Sequence, residues 1–221
     1  MSYPLEFFRQ FRKQFHTTGS IAPSSRWLAR ALARHFKQRN GDRPVRLLEI
    51  GPGTGAVTRE LVLHLKSGDV FDLVELNDSF VDVLHCRFEK ERHFQAVKHQ
   101  SNIFHGMLQD FHAAAPYDFI VSGLPLNNFS PDLVKQIFDK YFELLAPGGV
   151  LSYFEYMYVR PLRKRISRGS ERQRIHNLDA VIAPHLERHG IRRDNVLMNF
   201  PPAWVQHLRP AGDAGAAVPS R

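Results

Sequence analysis

Short, mostly apolar runs recur along the chain: Val45 to Ile50, Phe71 to Leu76, Tyr117 to Val121 and Val150 to Tyr156. Runs of this length, bounded by turn residues, read as strands buried on both faces of a sheet. Between them lie segments whose apolar positions fall three and four apart, the spacing of an amphipathic helix. These predict helices from about Arg26 to Gln38, Val57 to Lys66, Ser79 to about Glu91, Pro131 to Leu145 and Ile175 to His189. Ser24 or Ser25 can cap the first of them, and Asn40-Gly41 stops it. Asn102 to His105 reads as a further short strand, whereas residues 92–101 are too polar to assign. Towards the C-terminus, Ile191 to Asn199 and Ala203 to Leu208 read as an antiparallel hairpin. Strand and helix thus alternate. The expected fold is α/β, with a mostly parallel seven-stranded sheet, a C-terminal antiparallel hairpin and N-terminal helices.

The first buried run ends in a glycine loop, Glu49-Ile-Gly-Pro-Gly-Thr-Gly55, and the loop opens a helix. Gly51, Gly53 and Gly55, separated by Pro52 and Thr54, have no Cβ, so the backbone can turn sharply and a ligand can approach the main chain. A lone G-x-G-x-G is weak evidence; its place between a strand and a helix gives it meaning. About 20 residues further on, Glu75 stands at the tip of the next strand, beside Leu76. Nucleotide-binding α/β folds place there the carboxylate that binds ribose hydroxyls. Glu49, just before the loop, would repel a pyrophosphate and suits a ligand that carries a cation or an amino group.

Composition narrows the class. The 221 residues suffice for one α/β domain with a real core. No run of 18 apolar residues offers a membrane span, and the N-terminus shows no signal-peptide core. The single Cys86 cannot form an internal disulfide, so a reducing, cytoplasmic compartment fits. The net charge of +8 is unevenly spread. Residues 1–40 hold eight Lys/Arg against Glu6, and residues 160–174 hold seven against Glu171, which leaves the remainder net acidic. Two basic patches on an acidic body point to a polyanionic partner, either nucleic acid or an anionic membrane surface, although solvated basic faces give the same count.

The first patch has a pattern of its own. Leu5 to Phe15 reads as a helix in which Phe7, Phe8, Phe11 and Phe15 share one arc. Glu6, Arg9, Gln10 and Lys13 occupy the other side, with Arg12 at the edge. A basic amphipathic helix with aromatic anchors suits a membrane interface. A helix packing four Phe onto its own domain carries the same stripe.

Glu49 to Gly55 resembles motif I of class I S-adenosylmethionine (SAM) methyltransferases, and the resemblance continues through Glu75 and the later strands. It implies a Rossmann-like class I methyltransferase fold over residues 41–210, preceded by lid helices in 1–40 and followed by a loose tail at 211–221. It also implies SAM as cofactor and S-adenosylhomocysteine (SAH) as product. Cofactor contacts would fall to Glu49, Gly51, Pro52, Gly53, Thr54, Gly55, Glu75, Leu76, Met107 and Ser122. Met107 occupies the slot after Gly106 where the family commonly has an adenine-binding Asp, so Gln109 or Asp110 becomes the substitute. No metal is implied. His185 and His189 have metal-ligand spacing but no evident third ligand.

Three stretches resemble the bacterial soluble phospholipid N-methyltransferases: Gly19 to Arg30, Ser122-Gly-Leu-Pro-Leu126 and Asn199-Phe-Pro-Pro-Ala203. The rRNA adenine dimethyltransferases are more distant. Their loop in the place of Ser122–Leu126 reads Asn-Pro-Pro-Tyr or Asn-Leu-Pro-Tyr, and both the Asn and the stacking aromatic are missing here. The resemblance implies an N-methyltransferase acting on the amine head group of a membrane aminolipid, phosphatidylethanolamine-like or an ornithine lipid, at the inner face of the membrane. Ser122, Gly123, Leu124 and Pro125 would orient the amine. Tyr153, Tyr156 and Tyr158 would hold the methylated ammonium by cation–π attraction, and Glu155 would pair with it or take its proton. Some of these strand residues alternate into the core on a plainer reading. Phe7, Phe8, Arg9, Phe11, Arg12, Lys13 and Phe15, with Arg160, Arg163, Lys164 and Arg165, would meet the membrane or a lipid phosphate. Adenine methylation of RNA is the alternative, and a SAM- or lipid-binding protein without turnover is the second.

Overall fold

The computed structural model describes residues 25–157 and 170–210. The expected helix at Leu5 to Phe15, Tyr158, Arg160, Arg163, Lys164, Arg165 and the 211–221 tail lie outside the described residues. Seven strands form one sheet: β1 (Arg46–Ile50), β2 (Val70–Glu75), β3 (Ser101–His105), β4 (Tyr117–Ser122), β5 (Leu145–Tyr156), β6 (Gly190–Val196) and β7 (Ala203–Leu208). Their order across the sheet is β3-β2-β1-β4-β5-β7-β6. The first five run parallel, and β7 is antiparallel to both β5 and β6. The turn between β6 and β7 therefore lies at the carboxyl end of the parallel strands, the end at which open α/β sheets bind ligands.

Among the described residues seven α-helices flank the sheet: α1 (Arg26–Leu32), α2 (Arg34–Lys37), α3 (Ala56–Val62), α4 (Asp78–Lys90), α5 (Arg92–Val97), α6 (Pro131–Leu144) and α7 (Ser170–His189). Neighbouring strand residues point to opposite faces, so Leu47 joins one apolar cluster and Leu48 the other. The first cluster takes Leu28 and Phe36 with Leu61, Leu84 and Phe94 from α3, α4 and α5. The second takes Ile137, Phe138 and Tyr141 of α6 with Leu178 and Ile182 of α7. Among the described residues no helix is long and apolar enough to cross a membrane.

Several element boundaries differ from expectation: the helix expected to run to Lys66 ends at Val62, the one expected from Ile175 begins at Ser170, and the strand expected to run to Asn199 ends at Val196. The first helix breaks at Ala33 into α1 and α2, with Ser25 Oγ capping α1 by accepting from Leu28 N at 3.2 Å. Residues 92–97 form α5, whose buried residues are Phe94 and Val97, three apart; two apolar positions in six were too few to stand out. The sixth helix stops at Leu144, and β5 begins with Leu145 paired to Tyr117 instead of at Val150. The register then shifts, and Gly149 is needed there, because a Cβ would meet three carbonyl oxygens at 2.9–3.0 Å.

Buried acids tie the elements together. Asp69 accepts from Val45 N at 3.0 Å, from Lys66 N at 2.7 Å and from the Arg39 guanidinium. Asp72 accepts from Tyr117 Oη at 2.6 Å, from Asn102 Nδ2 at 2.9 Å and from Arg46 Nη2 at 3.2 Å. A third knot holds the reversed edge of the sheet. Asp194 accepts from Arg34 at 2.6 Å and Arg192 at 2.7 Å, and these cations keep its carboxyl below the ordinary range although burial works to raise it. An ionised Asp194 can only accept, so His207 Nε2 carries a proton towards Asp194 Oδ2 at 3.3 Å, and Nδ1 accepts from the Ser152 hydroxyl at 2.7 Å.

Burial lowers His207 to about 4, with His35 adding to the effect and Asp194 opposing it. A histidine whose folded pKa lies below its unfolded value of about 6.5 adds stability that is present above that value. The contribution is lost as pH falls to the folded value, and it amounts to about 3 kcal/mol. The melting temperature is therefore expected to fall between about pH 6.5 and 4, and His207→Gln is expected to flatten that slope while lowering stability at pH 7. Thermal denaturation of both proteins across this range checks it; an unaltered slope in the variant would remove His207 from the account.

Candidate active site

The glycine loop begins where β1 stops. Gly51 N donates to Val74 O at 2.9 Å, and Gly51 sits at φ +67°, a left-handed conformation that costs L side chains about 1–2 kcal/mol. A Cβ there would also stand 2.7 Å from Leu124 Cδ2. Gly53, at φ +56°, has nothing within 4 Å of the Cβ position, so its main chain is bare on that side.

Glu75 ends β2 and is buried. Its Oε2 accepts from Gly53 N at 2.9 Å, and its Oε1 accepts from Leu76 N at 2.8 Å and Asn77 N at 2.9 Å. Burial raises its pKa, and the three N–H donors and His105 oppose the rise. A carboxylate offers about four lone-pair sites. Three are engaged, so there is room for one hydroxyl donor, and a second finds a place only if a backbone N–H gives way. Glu75 and Leu76 line a cleft together with Gly51, Met107, Gln109 and Leu124. Asp110 is exposed and does not join them.

Glu49 is buried beneath the loop, and its pKa is raised to about 8. Burial is the main cause, and the nearby Glu75 adds to it. Thr58 of α3 opposes through its hydroxyl and N–H, yet neither Glu49 Oε2 nor Thr58 Oγ1 has a partner within hydrogen-bonding geometry. An orphaned buried carboxyl oxygen is an acceptor waiting for a cationic donor.

The Ser122–Pro125 loop lies against this cofactor-type loop. Gly123 N donates to Ile50 O at 2.8 Å, and a Cβ on Gly123 would meet Gly51 O at 2.5 Å. The Ser122 hydroxyl is fully buried, 2.6 Å from Tyr141 Oη and 3.3 Å from Leu124 N, from which it accepts. It positions the loop from behind and does not reach the cleft. The Leu124 carbonyl accepts from Leu126 N at 2.9 Å, which fixes its direction and leaves one lone pair open. Arg174 Nη1 of α7 donates to Phe129 O at 2.9 Å and, at 3.4 Å, to Asn127 O.

Tyr153 and Tyr156 do not share one cage. Tyr153 is fully buried in the second core cluster, edge-on to Phe138 with ring centroids 5.4 Å apart. Tyr156 is partly exposed and packs on Phe154 against the first cluster. Glu155 is buried. His185 and His189 stack on Phe142, His185 also on Phe138, and no cluster of three metal-ligating side chains exists among the described residues. Sequence reasoning missed Thr58, Tyr141 and Arg174. Thr58 carried a faint signal, since it begins α3 just behind the glycines. Tyr141 and Arg174 reach the loop only through tertiary packing.

Residues 48–151 match the family described as "Methyltransferase domain". With the strand order and the two loops at the carboxyl ends of β1 and β4, this defines the class: the chain carries a class I SAM-dependent methyltransferase domain, it is an enzyme, and SAM is its cofactor. Among curated proteins it is 29% identical over 151 residues to an ornithine lipid N-methyltransferase of Singulisphaera acidiphila, covering 68% of this chain and 77% of that one. It is 28% identical over 138 residues to the ribosomal RNA small subunit methyltransferase A of Pseudomonas fluorescens, covering 62% of this chain but only 45% of that protein. Among solved structures the same fold occurs in the O-methyltransferase TomG of Streptomyces achromogenes with SAM (TM-score 0.62, 18% identity, 91% of this chain and 86% of that one). It occurs again in the N-methyltransferase NodS of Bradyrhizobium japonicum with SAH (TM-score 0.60, 16% identity, 91% and 98%).

Two outcomes are expected for the cofactor. Glu75→Gln exchanges one acceptor oxygen for an amide that cannot accept, so SAM affinity is expected to fall by roughly tenfold or more while the protein stays folded. Unchanged affinity by calorimetry would exclude Glu75 from the site. Glu49 carries its proton at pH 7, and an ammonium beside it favours the ionised form. SAM binding is therefore expected to release a proton at pH 7, seen as a calorimetric enthalpy that changes with the buffer's ionisation enthalpy. Glu49→Gln is expected to reduce that dependence; an identical dependence in the variant would show that Glu49 does not meet the cofactor.

Proposed function

We propose that the enzyme methylates the amine head group of a membrane aminolipid. The observation that carries this reading is the Ser122–Pro125 loop, fastened by its main chain to the glycine loop and offering a fixed Leu124 carbonyl. The similarity to an ornithine lipid N-methyltransferase over two thirds of the chain supports it. SAM supplies an electrophilic methyl group on a sulfonium centre. Gly53 and Glu75 would hold its ribose, Glu49 its amino group, and Met107 and Gln109 would flank its base. Methyl transfer needs a neutral amine with its lone pair in line with the methyl. The Leu124 carbonyl would accept one N–H of that amine and so aim its lone pair. The apolar wall made by Leu124 would keep water out and favour the uncharged amine. The new ammonium sheds a proton after transfer, and Glu155 or solvent would receive it. Tyr156 remains a candidate to face the methylated nitrogen; Tyr153, in the core, is not one.

The six curated matches named ribosomal RNA small subunit methyltransferase A favour RNA as the second reading. Against it, no aromatic residue occupies the Leu126 position to stack on an adenine, and Leu126 is itself buried. Incubation with labelled SAM and either aminolipid vesicles or small-subunit rRNA separates the two. Label is expected in lipid; label in RNA alone would overturn the proposal. Pro125→Ala frees the backbone beside the aimed carbonyl. It is expected to lower turnover by about tenfold or more with SAM affinity little changed. Wild-type turnover would reduce this loop to a connection.

A further inference from the structure

The turn between β6 and β7 carries Leu197, Met198 and Phe200 at 66%, 72% and 89% exposure. Three large apolar side chains in four residues, held in water, ask for a partner. The turn is not a frayed end. Asn199 is buried at its centre, its Nδ2 donating to Pro201 O at 2.7 Å and its Oδ1 accepting from Ser25 N at 3.1 Å. Met157 N donates to Pro202 O at 2.7 Å. The backbone is thus latched on both sides while the three side chains project outwards.

The surroundings are cationic. A groove of about 440 Å³ separates the turn from the first helices, and Trp27, Arg30, Arg34 and Lys37 line it opposite Leu197 and Met198. Arg26 and Arg30 lie over the Trp27 ring at 5.0 and 5.7 Å. Glu60 and Asp194 offset part of this charge. Basic and aromatic residues around a protruding apolar tip form the pattern of an interfacial anchor. Position completes the argument. The tip stands at the carboxyl end of the sheet with Glu75 and the Ser122 loop, and Ser25, hydrogen-bonded to it, is where the basic, Phe-rich first segment of the sequence joins the fold.

We propose that the β6–β7 tip, with Trp27 and the arginines of α1, is the docking face for an anionic lipid bilayer and sets the active-site end of the sheet against the membrane. This deepens the aminolipid reading and rests on it for the choice of partner. A second copy of the chain is a poorer occupant, because stable interfaces bury about 800 Å² per partner and three side chains on a convex tip offer far less. RNA is a poorer occupant too: Trp27, Phe200 and the arginines could meet bases and phosphates, but the aliphatic Leu197 and Met198 at the tip gain nothing from a polyanion and are buried by a bilayer.

The test uses the full chain. Leu197→Ser, Met198→Ser and Phe200→Ser are combined and compared with wild type by flotation with vesicles of phosphatidylcholine and phosphatidylglycerol. Partitioning is expected to fall by about tenfold or more, with the melting temperature and SAM affinity unchanged. Phe200→Cys, placed on Cys86→Ser and labelled with an environment-sensitive fluorophore, is expected to shift to the blue when these vesicles are added. Unchanged partitioning of the triple variant, or no spectral shift, overturns the proposal. A fall in melting temperature with partitioning kept does so too, since it would mean that the chain itself covers the tip, as would loss of RNA binding with vesicle binding kept. Methyl transfer to a soluble short-chain aminolipid is followed separately. Tip-dependent binding without that transfer overturns the substrate reading and leaves the docking face standing; transfer with tip-independent binding does the reverse.

Discussion

The site depends on one main-chain contact. Gly123 N donates to Ile50 O at 2.8 Å, and the two loops approach so closely that a single Cβ at Gly123 would strike Gly51 O. The loop after β1 and the loop after β4 therefore move as one body. Leu124 closes the contact from above, lying over Gly51, and Ser122 closes it from below through Tyr141 of α6. Arg174 extends the brace to α7 by binding the carbonyls just beyond the loop. On the proposed reading, distance and angle between a methyl donor at the first loop and an amine at the second would be set by backbone and core. Flexible polar side chains have little part in it. Methyl transfer demands this kind of control, because in-line alignment is most of what a protein can add to a reactive sulfonium.

The same rigidity shapes the electrostatics. Asp69 and Asp72, at the opposite end of the sheet, are buried with arginine partners and hold elements together. Glu49 and Glu75, at the carboxyl end, are buried with no lysine or arginine paired to either one among the described residues, and both have raised pKa values. Burying acids without cations costs stability and is tolerated where a ligand later supplies the missing donors. Sites that are strained before binding and satisfied after it are how a fold reserves affinity for a cationic, hydroxyl-bearing cofactor.

How far the sequence discloses this varies with the range of the interaction. The glycine loop, Glu49 and Glu75 are legible because each belongs to a strand-turn unit whose pattern is local. The α/β class and the mostly parallel sheet follow from apolar runs alternating with amphipathic helices, whereas the order of the strands across the sheet does not and is given by the structure. Two kinds of feature stay hidden. Where a strand is buried on both faces, periodicity cannot say which side a residue takes, so Tyr153 reads as a candidate ligand contact and lies in the core against Phe138. Where a role depends on a partner far along the chain, no spacing announces it: Ser122 meets Tyr141, and Ser25 meets Asn199, across 19 and 174 positions respectively. The Ser152–His207–Asp194 chain is hidden for the same reason.

The reversed edge of the sheet has a consequence that a parallel seventh strand would not. Because β7 runs against β5, its first residue, Ala203, pairs with Tyr156, the last of β5. The connection from β6 must then cross at the carboxyl end of the sheet, the end that holds the cleft, instead of at the amino end. Asn199 uses that crossing to hold the start of α1 through Ser25 N, so the entry of the N-terminal segment, the apolar turn and the cleft share one side of the molecule. Arg34 of α2 and Asp194 of β6 add a second link, and His207 anchors it to β5 through Ser152. On the aminolipid reading proposed above, the enzyme would have to bring its cofactor cleft to the interface without unfolding that side. A hairpin reversal latched by buried hydrogen bonds gives a stiff rim of that kind, which a loose loop of the same length would not.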